Sequence, residues 1–241
     1  MKGYKIQMKK NIALTAGIAF FILFFIFTTL ILTTDVQPIG PNNSKVGLAA
    51  MNRSFADAVG QSETWYKISD YIGYLAFIIP AGFALLGLVQ AIKRKSLLKV
   101  DRQLIILGIF YVAVLCAYIA FEIFEVNYRP ILVDGKLEAS YPSSHTMLSL
   151  CITTTAIFQA HTLLKNHKVP LILADIFCVT IGSVVLVGRI LSGVHWLSDI
   201  IGGILLSGTL VCFFIFASFL AKEIADRKST NKEIKENTVN D

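Results

Sequence analysis

An all-α bundle of membrane-spanning helices is the fold this sequence predicts, and three observations predict it. Of the 241 residues, 55% are hydrophobic and only 16% charged, where soluble domains carry about 25% charged residues. The mean hydropathy is +0.66. Six apolar runs lie along the chain, each near the roughly 17–25 residues that cross a bilayer. This hydrophobicity excludes disorder for most of the chain. A fibre of short repeats is excluded too, because the 16 Gly and 6 Pro show no short period.

The first run covers residues 11–34, behind a basic N-terminus of residues 1–10 that carries Lys2, Lys5, Lys9 and Lys10. It is longer than the apolar region of a signal peptide and closes on no A-x-A site, so it reads as a retained span. Residues 35–70 form a long connection. Val46, Met51, Phe55 and Val59 recur there at near-helical spacing, followed by Trp65, Tyr66, Tyr71 and Tyr74. The pattern predicts a short interfacial helix between spans one and two with an aromatic belt. A packing cap over the bundle and a substrate gate both fit it. The second run covers 71–92, and the third covers 103–124 with Glu122 late in it. The fourth begins near Ser143 and ends before Lys165, the fifth covers 169–188 with Asp175 inside, and the sixth covers 196–221. Residues 11–221 thus read as a single six-span domain and 222–241 as a charged, solvated tail.

The formal net charge is +6, and its placement gives it meaning. Sixteen of the 22 Lys and Arg lie at the N-terminus, between spans two and three, between spans four and five, or in the tail. By the positive-inside rule both termini are cytoplasmic, and the segments after spans one, three and five face outward. Dispersal of the basic residues among loops argues against a nucleic-acid partner; the bilayer is the expected surrounding. Cys116, Cys151, Cys178 and Cys212 each fall within an apolar run and read as small buried hydrophobes. No CxxC or Cys/His cluster suggests a metal, so no cofactor is expected. No internal repeat supports an inverted-repeat transporter. Asp175, His161 and His167 read as structural, and Glu125 lies near the outward rim.

Three clusters fall at the outward face. They are Arg129-Pro130 past the third span, Pro142-Ser143-Ser144-His145 opening the fourth, and Arg189, His195 and Asp199 between the fifth and sixth. Each alone has a plain structural reading as a loop turn, a cap or a buried pair. Together, in order on one face, they favour phosphate chemistry. Polar groups near lipid are functional candidates by default. Ser143 is the expected N-cap of the fourth helix, whose first-turn N–H groups and positive dipole end suit an anion. Ser143 and Ser144 add hydroxyl donors, and Arg129 and Arg189 add planar forks that match phosphate oxygens. His195 and Asp199 stand i,i+4, so they share a face if the sixth helix starts early enough. The carboxylate can then fix the imidazole tautomer and leave the other nitrogen free to attack. His145, on a different helix, can protonate a leaving oxygen from the opposite side.

This pattern resembles the type 2 phosphatidic acid phosphatase superfamily, whose haloperoxidase relatives share its core. That family shows K-x6-R-P, then P-S-G-H, then S-R-x5-H-x3-D. Here the third motif reads Gly188-Arg189, five residues, His195, three residues, Asp199; the second reads Pro142-Ser143-Ser144-His145; the first keeps Arg129-Pro130. The resemblance implies a six-helix, metal-independent membrane phosphatase that acts on a lipid phosphate or diphosphate through a phosphohistidine, with its active site on the extracytoplasmic side. His195 would be the nucleophile oriented by Asp199, and His145 the general acid. Arg129, Ser143 and Arg189 would hold phosphate, assisted by the Ser144 N–H. Polyprenyl diphosphate is the favoured substrate, with phosphatidylglycerol phosphate or phosphatidate next. A lipid phosphotransferase, or a non-catalytic lipid-binding protein on this fold, is the alternative. Three positions depart from the pattern. Glu122 stands where the family has Lys, Ser144 where it has Gly, and Gly188 where it has Ser. On a helix continuing past 124, positions 122 and 129 would face the same way. Glu122 is therefore expected to pair with Arg129 or Arg189, or to meet a cationic head group. Lys136 in the adjoining loop is a candidate for the missing positive charge.

Overall fold

The computed structural model describes residues 2–240, with side chains from 3 to 230. Eight α-helices build it: α1 (Lys2–Thr33), α2 (Ala49–Val59), α3 (Glu63–Ala76), α4 (Ile78–Lys93), α5 (Arg102–Ile123), α6 (Ser144–Leu163), α7 (Lys168–Ser192) and α8 (Leu197–Asn240). Among the described residues there is no strand, only isolated bridges. α1 packs along α8, α7 receives both α3 and α6, and α6 also packs on α8. Without a hydrophobic drive between helices in lipid, close van der Waals fit must hold such pairs. α1 and α8 supply it reciprocally, with Phe20 seated against Gly208 and Phe213 against Gly17.

Five segments are long and apolar enough to cross a membrane: Gly3–Thr33, Glu63–Lys93, Arg102–Ile123, Lys168–Ser192 and Leu197–Thr230. α6 has the length, 20 residues, but not the apolarity. Thr146, Ser149, Thr153, Thr155 and Gln159 on it are buried inside the bundle. Ser149, Thr153 and Thr155 hydroxyls donate to backbone carbonyls of their own helix. A helix enclosed by protein can carry polar groups that lipid would not tolerate.

The segment between the first two spans differs from the single interfacial helix expected. It forms α2 and then α3, and α3 runs on into α4 with a joint at Phe77. The second span therefore belongs to one apolar segment that starts at Glu63, not Tyr71. Val46 lies before α2 and is fully buried, while Met51 is exposed. The inward residues of α2 are Ala49 and Asn52. Asn52 is buried because it is satisfied: its amide donates to Gly47 O (2.8 Å) and Ser198 Oγ (2.9 Å), and its Oδ1 accepts from Ser198 N (3.1 Å). The segment thus packs over one end of the bundle. Of the aromatic belt, Tyr71 and Tyr74 are exposed, whereas Trp65 and Tyr66 are half-buried.

At the opposite end Asp175 pairs with His161 at 3.0 Å, in keeping with a structural role. Glu223 of α8 pairs with Lys10 of α1 and with Arg227, so the start of the expected tail is helix that docks on α1. The remainder of that expected tail, 231–241, lies outside the residues whose side chains are described.

Candidate active site

The ends of α5, α7 and the starts of α6 and α8 converge, as alternating helices must. Ser143 caps α6, its Oγ accepting from Thr146 N (3.4 Å) and from Thr146 Oγ1 (3.0 Å). Its own N–H donates to Asp199 O at 2.9 Å, which joins the start of α6 to the start of α8. Ser143 is fully buried; Ser144, one step on, lines the cavities at the site. α7 ends at Gly193, which has φ of +67°. A Cβ there would stand 2.1 Å from Gly60 O, so both the left-handed backbone and the close approach require glycine.

α5 stops at Ile123, which corrects the expectation that 122 and 129 share a helix face. Residues 127–140 instead form a hairpin-like excursion. Arg129 N donates to Glu138 O (3.0 Å) and Ser140 N to Asn127 O (2.9 Å). Asp134 and Gly135, both at positive φ, make its turn. Trp196 Nε1 donates to Tyr128 O at 2.7 Å and ties the excursion to the start of α8. Lys136 is exposed in the turn, and no hydrogen bond or ion pair among the described residues brings its side chain to the site.

His195 lies in the short link before α8, so it does not share a helix face with Asp199 as the i,i+4 spacing suggested. The two still meet: His195 Nδ1 is 3.6 Å from Asp199 Oδ2. That oxygen accepts from Trp196 N at 2.9 Å, a reach-back to the first turn that fixes the carboxylate. On the other side, His195 Nε2 is 3.5 Å from an Arg129 terminal nitrogen. The imidazole is thus held between a carboxylate at Nδ1 and a guanidinium at Nε2. Burial, reinforced by the positive charges of Arg129 and Arg189, holds His195 well below the usual histidine range. It is therefore neutral near pH 7 and keeps a lone pair.

Arg189 is fully buried at the end of α7. One terminal nitrogen, Nη2, donates to Asp70 Oδ1 at 2.6 Å, and its guanidinium carbon sits 5.3 Å from the centre of the Tyr66 ring. Its Nε and Nη1 have no hydrogen-bond partner among the described residues. Buried donors of this kind are costly unless a ligand meets them. Arg129 Nε stands 3.1 Å from Glu138 Oε2. His145 Nε2 stands 3.0 Å from Asp70 Oδ1. Glu122 is exposed on the last turn of α5 and pairs with neither arginine, contrary to expectation, because Glu138 and Asp70 already hold those places. It lines a narrow cavity together with Tyr118, Ser140, Ser144 and His195.

The structure therefore brings together Arg129, Ser143, Ser144, His145, Arg189, His195 and Asp199, with Glu122 at the edge and Lys136 apart. A model of the PAP2 superfamily matches residues 109–223, a stretch that holds every one of them. Over that stretch the chain belongs to the PAP2 superfamily. Its fold is that of a transmembrane PAP2-type phosphatidylglycerolphosphate phosphatase from Bacillus subtilis known from a crystal structure. The two chains are 22% identical, with a TM-score of 0.56 over 86% of this chain and 96% of the other. No curated protein matches the sequence.

Outside the PAP2 motifs, three contributors were not read from the sequence. Asp70 and Tyr66 come from α3 and touch Arg189; Glu138 comes from the hairpin and touches Arg129. Asp70 did carry a signal, as a lone acid at the mouth of an apolar run. Tyr66 and Glu138 carried none beyond their residue types.

A wider apolar cavity of about 430 Å³ leads away from the site, with Ser144 and His145 at one end and Phe77, Pro80, Tyr111 and Leu115 along it. A second, of about 480 Å³, continues between α4 and α5 toward Leu97 and Leu98. Pro80 and Tyr111 line both. Tyr111 Oη lies 3.2 Å from Thr155 Oγ1, which steadies the ring at the junction.

Proposed function

We propose that this membrane phosphatase of the PAP2 superfamily removes a terminal phosphate from a membrane lipid phosphate or diphosphate through a phosphohistidine on His195. The observation that carries the reading is the buried Arg189 guanidinium with two unpartnered N–H groups beside two imidazoles. A phosphate seated on those donors, on Arg129 and on the first-turn N–H groups of α6 lies between His195 and His145. His195 Nε2 attacks phosphorus while Asp199 holds the Nδ1 side. The bond from phosphorus to the lipid oxygen breaks, and His145 gives that oxygen a proton. Water then attacks the phosphohistidine and releases inorganic phosphate, with His145 taking the water's proton. The two apolar cavities share Pro80 and Tyr111 in their walls, which gives a long lipid chain apolar surface to follow away from the site. Polyprenyl diphosphate therefore heads the substrate panel, with phosphatidylglycerol phosphate and phosphatidate beside it.

Six crossings complete the reading, α6 passing through inside the bundle. The excess of basic residues at alternate ends supports cytoplasmic termini and an extracytoplasmic site. The test is phosphate release by purified protein from that panel, with His195→Ala alongside. Release by wild type that is lost in the variant is the expected result; equal release by both would end the mechanism. For sidedness, a cysteine placed at Gly135 should label from outside intact cells.

A further inference from the structure

We infer that Asp70 is a positioning residue for the phosphoryl transfer proposed above, on which this inference rests. Its carboxylate bridges His145 and Arg189 and sets the imidazole that must supply the leaving-group proton.

The geometry begins with helix packing. α3 lies unusually close to α7, because a Cβ on Gly188 would stand 2.6 Å from Ser69 Cβ and 3.4 Å from Trp65 O. Gly188 therefore lets the turn of α3 that carries Asp70 reach the site. On α3 itself Gly73 lies one turn beyond Asp70, and a Cβ there would stand 3.1 Å from His145 Cδ2. Glycine at this position makes room for the imidazole against the same helix face. The result is one oxygen, Asp70 Oδ1, 2.6 Å from Arg189 Nη2 and 3.0 Å from His145 Nε2.

An ion pair that served only the fold would leave its members satisfied. This one does not. Asp70 takes one nitrogen from each partner, while Arg189 Nε and Nη1 and His145 Nδ1 stay buried and unpartnered among the described residues. The nitrogens left over are those a phosphate and its leaving oxygen can use without displacing Asp70. The charged and titratable groups around His145 explain why a carboxylate is useful there. Arg189 faces it from α7, Arg129 from the hairpin, His195 from the link before α8, and Tyr74 from α3 at 6.2 Å between ring centres. Burial and the two guanidiniums oppose a positive charge on the imidazole, whereas a general acid must hold its proton until the leaving oxygen needs it. Asp70, fixed by Arg189, is the carboxylate placed to favour that proton. During transfer the proton moves from His145 to the lipid oxygen as its bond to phosphorus breaks, and Asp70 neither gives nor takes a proton.

The test compares leaving groups. A lipid alkoxide needs the acid and p-nitrophenolate scarcely does. In the full-length protein, Asp70→Asn should lower kcat/KM for a lipid monophosphate by ~100-fold, and for p-nitrophenyl phosphate by no more than ~10-fold. The basic limb of the lipid kcat/KM–pH profile should also move to lower pH. Thermal stability of the variant, followed in parallel, shows that it is folded. Equal losses on both substrates with an unmoved pH profile would make Asp70 a mere holder of Arg189. A gain in activity would make it an obstacle to phosphate. Either outcome overturns the assignment. His195→Ala separates this from the underlying reading: it should abolish turnover of both substrates, and if it does not, the phosphohistidine mechanism fails rather than the role of Asp70.

Discussion

Gly188 stands where the superfamily pattern has serine, and replacing it tests whether α3 sits where the structure has it. The perturbation is Gly188→Ala. The added Cβ would be 2.6 Å from Ser69 Cβ, about an ångström inside a comfortable carbon–carbon contact of ~3.5–4.0 Å. A Cβ is fixed by the backbone, so no rotamer change of Ser69 relieves the overlap. The Ser69 hydroxyl is already committed to Trp65 O (2.8 Å) and Tyr66 O (3.0 Å), and the residue is fully buried. One helix must shift away from the other, an overpacking that costs about 1–3 kcal/mol. For a chain of this size that is a fall in Tm of roughly 2–12 °C. Ser69→Gly removes the opposing Cβ and alone costs about 1 kcal/mol through helix propensity and lost contact. The assay is thermal unfolding in detergent of wild type, both single variants and the double variant. The double variant should recover at least ~1 kcal/mol relative to the sum of the singles, well beyond the ~0.5 kcal/mol within which independent sites add. Simple additivity would mean that Ser69 and Gly188 do not touch, and the route by which Asp70 reaches Arg189 would fall with it.

Three further outcomes follow from the same contacts. The buried His195 binds no proton in the folded protein at pH values where the unfolded chain does, below its ordinary 6.5; stability should therefore fall as pH drops through that value, with a slope of at most ~1.4 kcal/mol per pH unit. His195→Asn should flatten that slope in Tm measured against pH, and an unchanged slope would refute the assignment. Asn52→Ala strips three hydrogen bonds and leaves Ser198 N and Gly47 O to find new partners, at about 2–4 kcal/mol; Asn52→Asp should fail to rescue Tm, because a carboxylate cannot donate to Gly47 O. Tyr111→Ala should merge the two apolar cavities and raise the ratio of kcat/KM for long-chain over short-chain lipid phosphates by ~10-fold, and an unchanged ratio would remove Tyr111 as a determinant of chain length.

The sequence made legible whatever depends on local pattern and helix ends. Hydropathy located the five apolar spans, with the start of the second misplaced, and alternation of direction was enough to bring Arg129, His145, Arg189 and His195 to one end. The motif spacing also foretold the meeting of His195 with Asp199, although through a capped link and not a shared helix face. What stayed hidden depends on packing between segments far apart in the chain. Whether Asp70 meets Arg189 is decided by how deeply α3 sinks onto α7, which turns on a single missing Cβ at Gly188. Asn52 carried no signal in the sequence, because its partners at Gly47 and Ser198 become neighbours only after α2 folds over the bundle. The partner of Arg129 was misjudged for a simpler reason. α5 ends at Ile123, and the hairpin that follows presents Glu138 where Glu122 was expected.

The charge balance of the site follows from these partners. Arg129 and Arg189 each carry a resident carboxylate, Glu138 and Asp70, while Asp199 lies beside His195 and Glu122 lines the cavity that His195 also lines. The guanidiniums are therefore not a long-range attractor for anions. A soluble enzyme that collects a dilute anionic substrate gains from an uncompensated positive field. A lipid confined to the bilayer reaches the site along the membrane, and on the proposed reading its chain enters the apolar cavity that ends at His145. Recognition at such a site falls to short-range hydrogen bonds from donors already buried and aimed, Nε and Nη1 of Arg189 among them, which act in a low dielectric and need little reorganisation. The carboxylates then keep two guanidiniums buried near lipid at a bearable desolvation cost. Glu122 fits the same logic: a lysine there would add to an attractive field, and on the proposed reading selectivity comes instead from fit along the chain and from the leaving group that His145 and Asp70 serve.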